Sequence, residues 1–174
     1  MRISKIWVVW LKPVWSNLRF RKSVKEYQST SDEIADIDDL RAKVKALYKN
    51  FIYKYDDFSM LYDAIDTPPQ CLCYLENDVL EDDCDGFHAA IYHLIKQKME
   101  NVSNNNLITV VTRPVAKSHT MCVFDFDGKR YLVDYEEVIE IQAYSDVSEH
   151  VGQVFSCKPL YYHLNTWTEK RRWK

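Results

Sequence analysis

The hydrophobic period of this chain changes once. Up to about residue 99 the apolar residues recur at helical spacing, and from Leu107 onward they follow strand-like runs. Ile37, Leu40, Val44 and Leu47 mark an amphipathic helix over about 37–50, with Asp36 or Asp38 as its cap. Phe87, Ala90, Ile91, Leu94 and Ile95 mark a second, over 82–99, with Asp82 and Asp83 placed to cap it. A further short helix is expected at 58–65, broken by Thr67-Pro68-Pro69, and Asn101 to Asn106 reads as a loop. Strands are expected at 107–112, 119–126, 129–135, 138–143, 153–156 and 160–164. Helices first and strands second imply an α+β fold with an antiparallel sheet. At 174 residues the chain reads as one domain.

Composition removes several function classes. There are three glycines, at 86, 128 and 152, so no glycine-rich phosphate loop and no serine-nucleophile elbow can be built. Five cysteines stand at 71, 73, 84, 122 and 157 without a CxxC pair, which argues against the common zinc modules and for a reducing, cytoplasmic setting. No run approaches the roughly 20 apolar residues of a membrane span. Charge is uneven. Residues 1–25 hold seven basic residues and no acid, 170–174 hold four more, and 26–169 hold 12 basic against 26 acidic residues. The basic, aromatic segment 1–30 and the basic tail 165–174 are expected to lie on the acidic body or to be solvated. Nucleic acid is the less favoured partner for them.

Cys84 falls at the start of the second helix. There the positive end of the helix dipole stabilises a thiolate, and unpaired N–H groups can hold an oxyanion. Asp127-Gly128 signals a two-residue hairpin turn. Phe126 then pairs with Lys129, and continuing that register sets Met121 opposite Asp134. His119 and Asp134 become diagonal neighbours on one face, about 7 Å apart at Cβ, within reach of a hydrogen bond. Met121 and Val123 share that face and are expected to pack on the Cys84 helix. Nucleophile, base and orienting carboxylate are the parts of a cysteine hydrolase. His88, four residues after Cys84, is a rival base. Glu136 and Asp125 are weaker substitutes for Asp134, whose alternative role is an ion pair with Arg130. The acids around Cys84 should raise its pKa, an effect that a pair with His119 must offset.

The segments DDCDGFHAAIYHLI from Asp82, SHTMCVFDFDG from Ser118 and KRYLVDY from Lys129 carry a resemblance. In that order they resemble the transglutaminase-like branch of the papain-like cysteine-hydrolase superfamily, especially its bacterial and phage proteinase members. The resemblance covers about residues 50–142. The family's Gly-Asp-Cys-Asp-Asp type motif is altered here to Asp82-Asp83-Cys84-Asp85-Gly86. It implies a papain-like fold with the cysteine helix packed on the sheet, and Cys84, His119 and Asp134 as a catalytic triad. It also implies a peptide or protein substrate, with no cofactor and no metal. An upstream oxyanion donor is usual in that superfamily, with Gln70 or Asn77 as candidates. Rival expectations are acyl transfer to an amine, and an inactive binding module on the same fold. Metal readings of the acids at 81–86 and of Cys71-Leu72-Cys73 are weaker, because a calcium loop starting at Glu81 would place Tyr92 where its bidentate Glu belongs.

Overall fold

The computed structural model describes residues 33–53 and 80–165. The expected helix at 58–65, the Thr67-Pro68-Pro69 break, Gln70, Cys71, Cys73, Asn77 and both basic ends lie outside the described residues.

Helix α1 spans Ile37–Lys49. The Asp36 carboxylate caps it by accepting the N–H groups of Asp38 and Asp39, each at 2.9 Å. Its apolar stripe, Leu40, Val44 and Leu47, is buried. Strands β1 (Phe51–Tyr53) and β2 (Leu80–Asp82) pair in parallel and deliver the chain to α2, Cys84–Lys98. Almost every residue of α2 beyond its first is buried, so it is a core helix with its neighbours on several sides.

Strands β3 (Val102–Arg113), β4 (His119–Phe126), β5 (Lys129–Asp134), β6 (Glu137–Ile141) and β7 (Lys158–Asn165) form an antiparallel sheet in the order β6-β5-β4-β3-β7. The β4–β5 register is the expected one, from Phe126↔Lys129 to Cys122↔Val133. Asp127 and Gly128 both take positive φ, 51° and 73°, as a two-residue hairpin turn of this hand requires. The architecture is therefore α+β. No helix among the described residues is long and apolar enough to cross a membrane.

Three expectations are corrected. First, residues 102–106 belong to β3 and are not a loop. Asn101 turns the chain at φ 58°, and the polar stretch is a β3 irregularity between Ser103 and Asn106, with Asn104 at φ 49°. Second, residues 153–156 are not a strand. Helix α3, Tyr144–Val154, contains Gln153 and Val154, and the Asp146 carboxylate fixes its start by accepting the N–H groups of Gln142 and Ala143.

Third, Met121 and Val123 do not pack on the Cys84 helix. Side chains alternate across a strand. Cys122 and Phe124 of β4, with Tyr131 and Val133 of β5, face α1 and α2. Met121, Val123 and Leu132 face the other way, against Val147 and Val151 of α3. The sheet is buried on both faces, which is why the middle of β4, Met121 to Phe124, is apolar at four successive positions.

Candidate functional site

Cys84 is the first residue of α2. Asp83 is its N-cap, accepting the Asp85 N–H at 3.0 Å, and Asp82 accepts the Asp83 N–H at 2.8 Å. Asp82 and Asp83 thus turn toward backbone donors of the chain entering the helix, and Asp82, Asp83 and Asp85 are all buried. The Cys84 side chain is half-buried. Cys122, by contrast, is fully buried, donates to Asn105 Oδ1 at 3.4 Å, and burial pushes its thiol up. Cys157 is half-buried, with its Sγ 3.6 Å from the Val151 carbonyl oxygen.

The structure brings His119 and Asp134 together. His119 Nε2 lies 2.7 Å from Asp134 Oδ1, with both side chains nearly withdrawn from solvent. They meet where β4 begins and β5 ends, on the α3 side of the sheet. Helix α3 supplies a group that the sequence reading missed: His150 Nε2 lies 2.8 Å from Asp134 Oδ2. Burial opposes the charge on Asp134. Hydrogen bonds from His119 and His150, reinforced by the charges of His119 and His88, overcome it and hold the carboxyl well below the usual range. An ionised carboxylate only accepts, so Nε2–H of each histidine donates. In its neutral form the His119 ring then keeps its lone pair at Nδ1. Arg130 pairs with Asp125, at 2.7 and 3.0 Å, and leaves Asp134 to the histidines. Glu136 is exposed.

His88 is not available as a base. Its Nε2 accepts the Tyr135 N–H at 3.0 Å, so its one proton sits on Nδ1, which donates to the Cys84 carbonyl oxygen at 2.6 Å. Burial, and then the neighbouring charge of His119, lower its pKa from 6.5 to about 4. A carboxylate does lie near it, Asp134 Oδ1 at 3.8 Å, but both ring nitrogens are committed to backbone.

Cys84 is linked to this group through two residues. One is His88. The other is Tyr135, whose phenol is pushed up by burial and next by the charge of a Cys84 thiolate. The Tyr135 ring centroid is 5.2 Å from that of His119 and 5.3 Å from that of His88. Phe155 flanks His119 on another side at 4.8 Å.

Two groups have metal-ligating atoms within 4.8 Å of one another: His88, His119 and Asp134, and Asp82, Asp83 and Asp85. In the first, the His88 Nε2 lone pair already takes the Tyr135 N–H, and both Asp134 oxygens already accept from histidines. In the second, Asp82 and Asp83 serve backbone N–H groups.

No protein-family model matches the chain, and no curated protein matches it.

Proposed function

We propose that the protein is a papain-like, transglutaminase-like cysteine hydrolase that cleaves a peptide or other amide bond. The observation that carries this reading is the buried His119–Asp134 hydrogen bond of 2.7 Å, whose Asp134 oxygen lies 3.8 Å from His88 of the helix that Cys84 begins. Three features support it. Asp134 fixes the tautomer that gives His119 a basic Nδ1. Cys84 stands at a helix N-terminus, where the dipole favours a thiolate. The nearer histidine, His88, is held neutral by burial, with its Nε2 lone pair taken by the Tyr135 N–H, and so does not compete for the thiol proton.

In the proposed reaction the Cys84 proton passes to His119 Nδ1, and the sulfur attacks the substrate carbonyl carbon. Charge develops on the carbonyl oxygen, for which the N–H of Cys84 is the donor this reading uses. The C–N bond breaks as the imidazolium returns its proton to the leaving amine. Water, activated by the same ring, then cleaves the thioester. An amine in place of water would give transamidation.

The test is competitive alkylation with iodoacetamide near neutral pH, read by peptide mass spectrometry. Cys84 is expected to react far faster than the other four cysteines, and His119→Ala to remove that advantage. Equal labelling of all five would overturn the reading.

A further inference from the structure

The sequence reading used two of the three residues that meet at the Asp134 carboxylate. The third, His150, comes from α3, on the far side of the sheet from the cysteine helix, and no step of the reaction above employs it. Its Nε2 takes the Asp134 oxygen that His119 leaves. A carboxylate held at one oxygen can swing about its Cβ–Cγ bond. Held at both, it presents one oxygen in one plane. Asp134 is fixed in this way by two imidazoles arriving from β4 and α3, with His88 of α2 at 3.8 Å from Oδ1.

We propose that His150 is a positioning residue of the site, clamping Asp134 Oδ2 so that Oδ1 fixes the His119 ring with Nδ1 toward the thiol. The assignment to a reacting thiol rests on the hydrolase reading; the clamp itself does not. Charge around His150 suits the role. Asp134 of β5 and Glu137 of β6 both favour its protonated form, against the effect of partial burial. Glu149 stands next to it on its own helix. His119 of β4 and His88 of α2 face the other oxygen of the same carboxylate, at 2.7 and 3.8 Å. Loss of its proton removes a positive charge from behind Asp134 and keeps the Nε2–H bond. The clamp therefore survives deprotonation of His150 and weakens in strength.

The design predicts different behaviour for two substitutions. His150→Ala removes the donor. His150→Gln keeps an N–H at a comparable distance from the backbone. Helix α3 is anchored by Val147 and Val151, both fully buried, so neither change removes its packing. Circular dichroism melts of both variants check that the fold is retained.

Two readouts on the full chain decide the matter. The first is long-range proton–nitrogen NMR of the histidine rings in uniformly nitrogen-15-labelled protein at pH 7. Wild-type His119 is expected as a single Nε2–H tautomer, His150→Ala as a mixture of tautomers, and His150→Gln as wild type. The second is Cys84 alkylation by iodoacetamide as a function of pH. His150→Ala should slow it on the order of tenfold, the cost usual for removing an outer partner of a histidine, and displace its pH midpoint. His150→Gln should restore most of the rate. An unchanged His119 spectrum in His150→Ala overturns the positioning role, whatever the thiol does. If instead the spectrum changes while wild-type Cys84 reacts no faster than the other thiols, the clamp stands and the hydrolase reading falls.

Discussion

The imidazole of His88 accepts the Tyr135 N–H at Nε2, 3.0 Å away, and gives its own Nδ1–H to the Cys84 carbonyl at 2.6 Å. One ring therefore spaces the first turn of α2 from the loop that follows Asp134. Tyr135 holds the left-handed conformation, φ 47°, in which its N–H meets that ring. His88→Ala is expected to cost about 2–4 kcal/mol, because two backbone groups lose a partner and a fully buried ring leaves a cavity. It should also slow Cys84 alkylation, since the cysteine turn is no longer tied to the His119–Asp134 pair. Urea denaturation and the thiol assay measure the two effects. A variant of wild-type stability would show that the ring is not the spacer.

The same burial sets the acid sensitivity of the fold. His88 and His93 both have folded pKa values lowered from 6.5 to about 4. For His88 the cause is burial and then His119, and for His93 burial and then Lys96. A depressed pKa means that the unfolded chain binds more protons between the two values. Their stabilisation is thus fully present above about pH 6.5 and is lost as pH falls toward 4. Each contributes a few kcal/mol over that window, at about 1.4 kcal/mol per pK unit. His150 has the opposite sign. Its raised pKa gives stability that is full below 6.5 and lost only as pH rises through its folded value, so it offers no relief in the acid window. Asp134, held low, adds its own loss only below about pH 4. Urea midpoints from pH 7 to 4.5 should fall steeply for wild type. His88→Phe, less stable at pH 7, should show a shallower slope. Equal slopes would remove His88 from the account.

Local rules made most of the sheet and half of the site legible. Asp127-Gly128 dictates a two-residue turn, that turn dictates register, and register brings His119 to Asp134 without any knowledge of the rest of the chain. What local rules could not supply was which face of the sheet belongs to which helix. Alternation says that Met121 and Cys122 point opposite ways; it does not say which of them meets α2. That choice depends on α3, and α3 was obscured because its apolar face is narrow, with Val147 and Val151 as its buried residues. His150, three residues after Val147 and beside Val151, could have been found from the same helical spacing. The Asn-rich start of β3 misled for a different reason: Asn104 takes the left-handed conformation that asparagine tolerates, but inside a strand rather than in a loop.

Replacing Asp134 by Asn tests the two-histidine carboxylate directly. Both histidines donate to it, and a carboxamide has only one oxygen to accept with. Its NH2 must then face His119 or His150, and the histidine so faced must turn its lone pair to Nε2. Where that ring is His119, Nδ1 becomes protonated and is lost as a base. Asp134→Asn is expected to leave the fold intact and to lower amide turnover on the order of 10^3–10^4-fold. Cys84 alkylation should fall to that of an unassisted thiol. Wild-type alkylation in this variant would show that the carboxylate does not set the His119 tautomer.

Gly86 supplies a test of the α2 entry that opposes ordinary helix propensity. Alanine in place of glycine inside a helix usually gains close to 1 kcal/mol. At position 86, however, an added Cβ would run into the Asp82 carboxylate and would stand 2.8 Å from the Asp82 Cβ, closer than such atoms approach. Asp82 would have to leave, giving up the bond from its Oδ1 to the Asp83 N–H and loosening the turn that presents Cys84. Gly86→Ala should therefore destabilise by about 1–3 kcal/mol, the range for overpacking combined with a lost buried hydrogen bond. The cause can be isolated by a double-mutant cycle in urea. In an Asp82→Gly background the obstructing side chain is gone, and Gly86→Ala should turn neutral or stabilising. If Gly86→Ala stabilises the otherwise wild-type chain, Asp82 moves aside without cost and the glycine is not needed for the close approach of β2 to the helix.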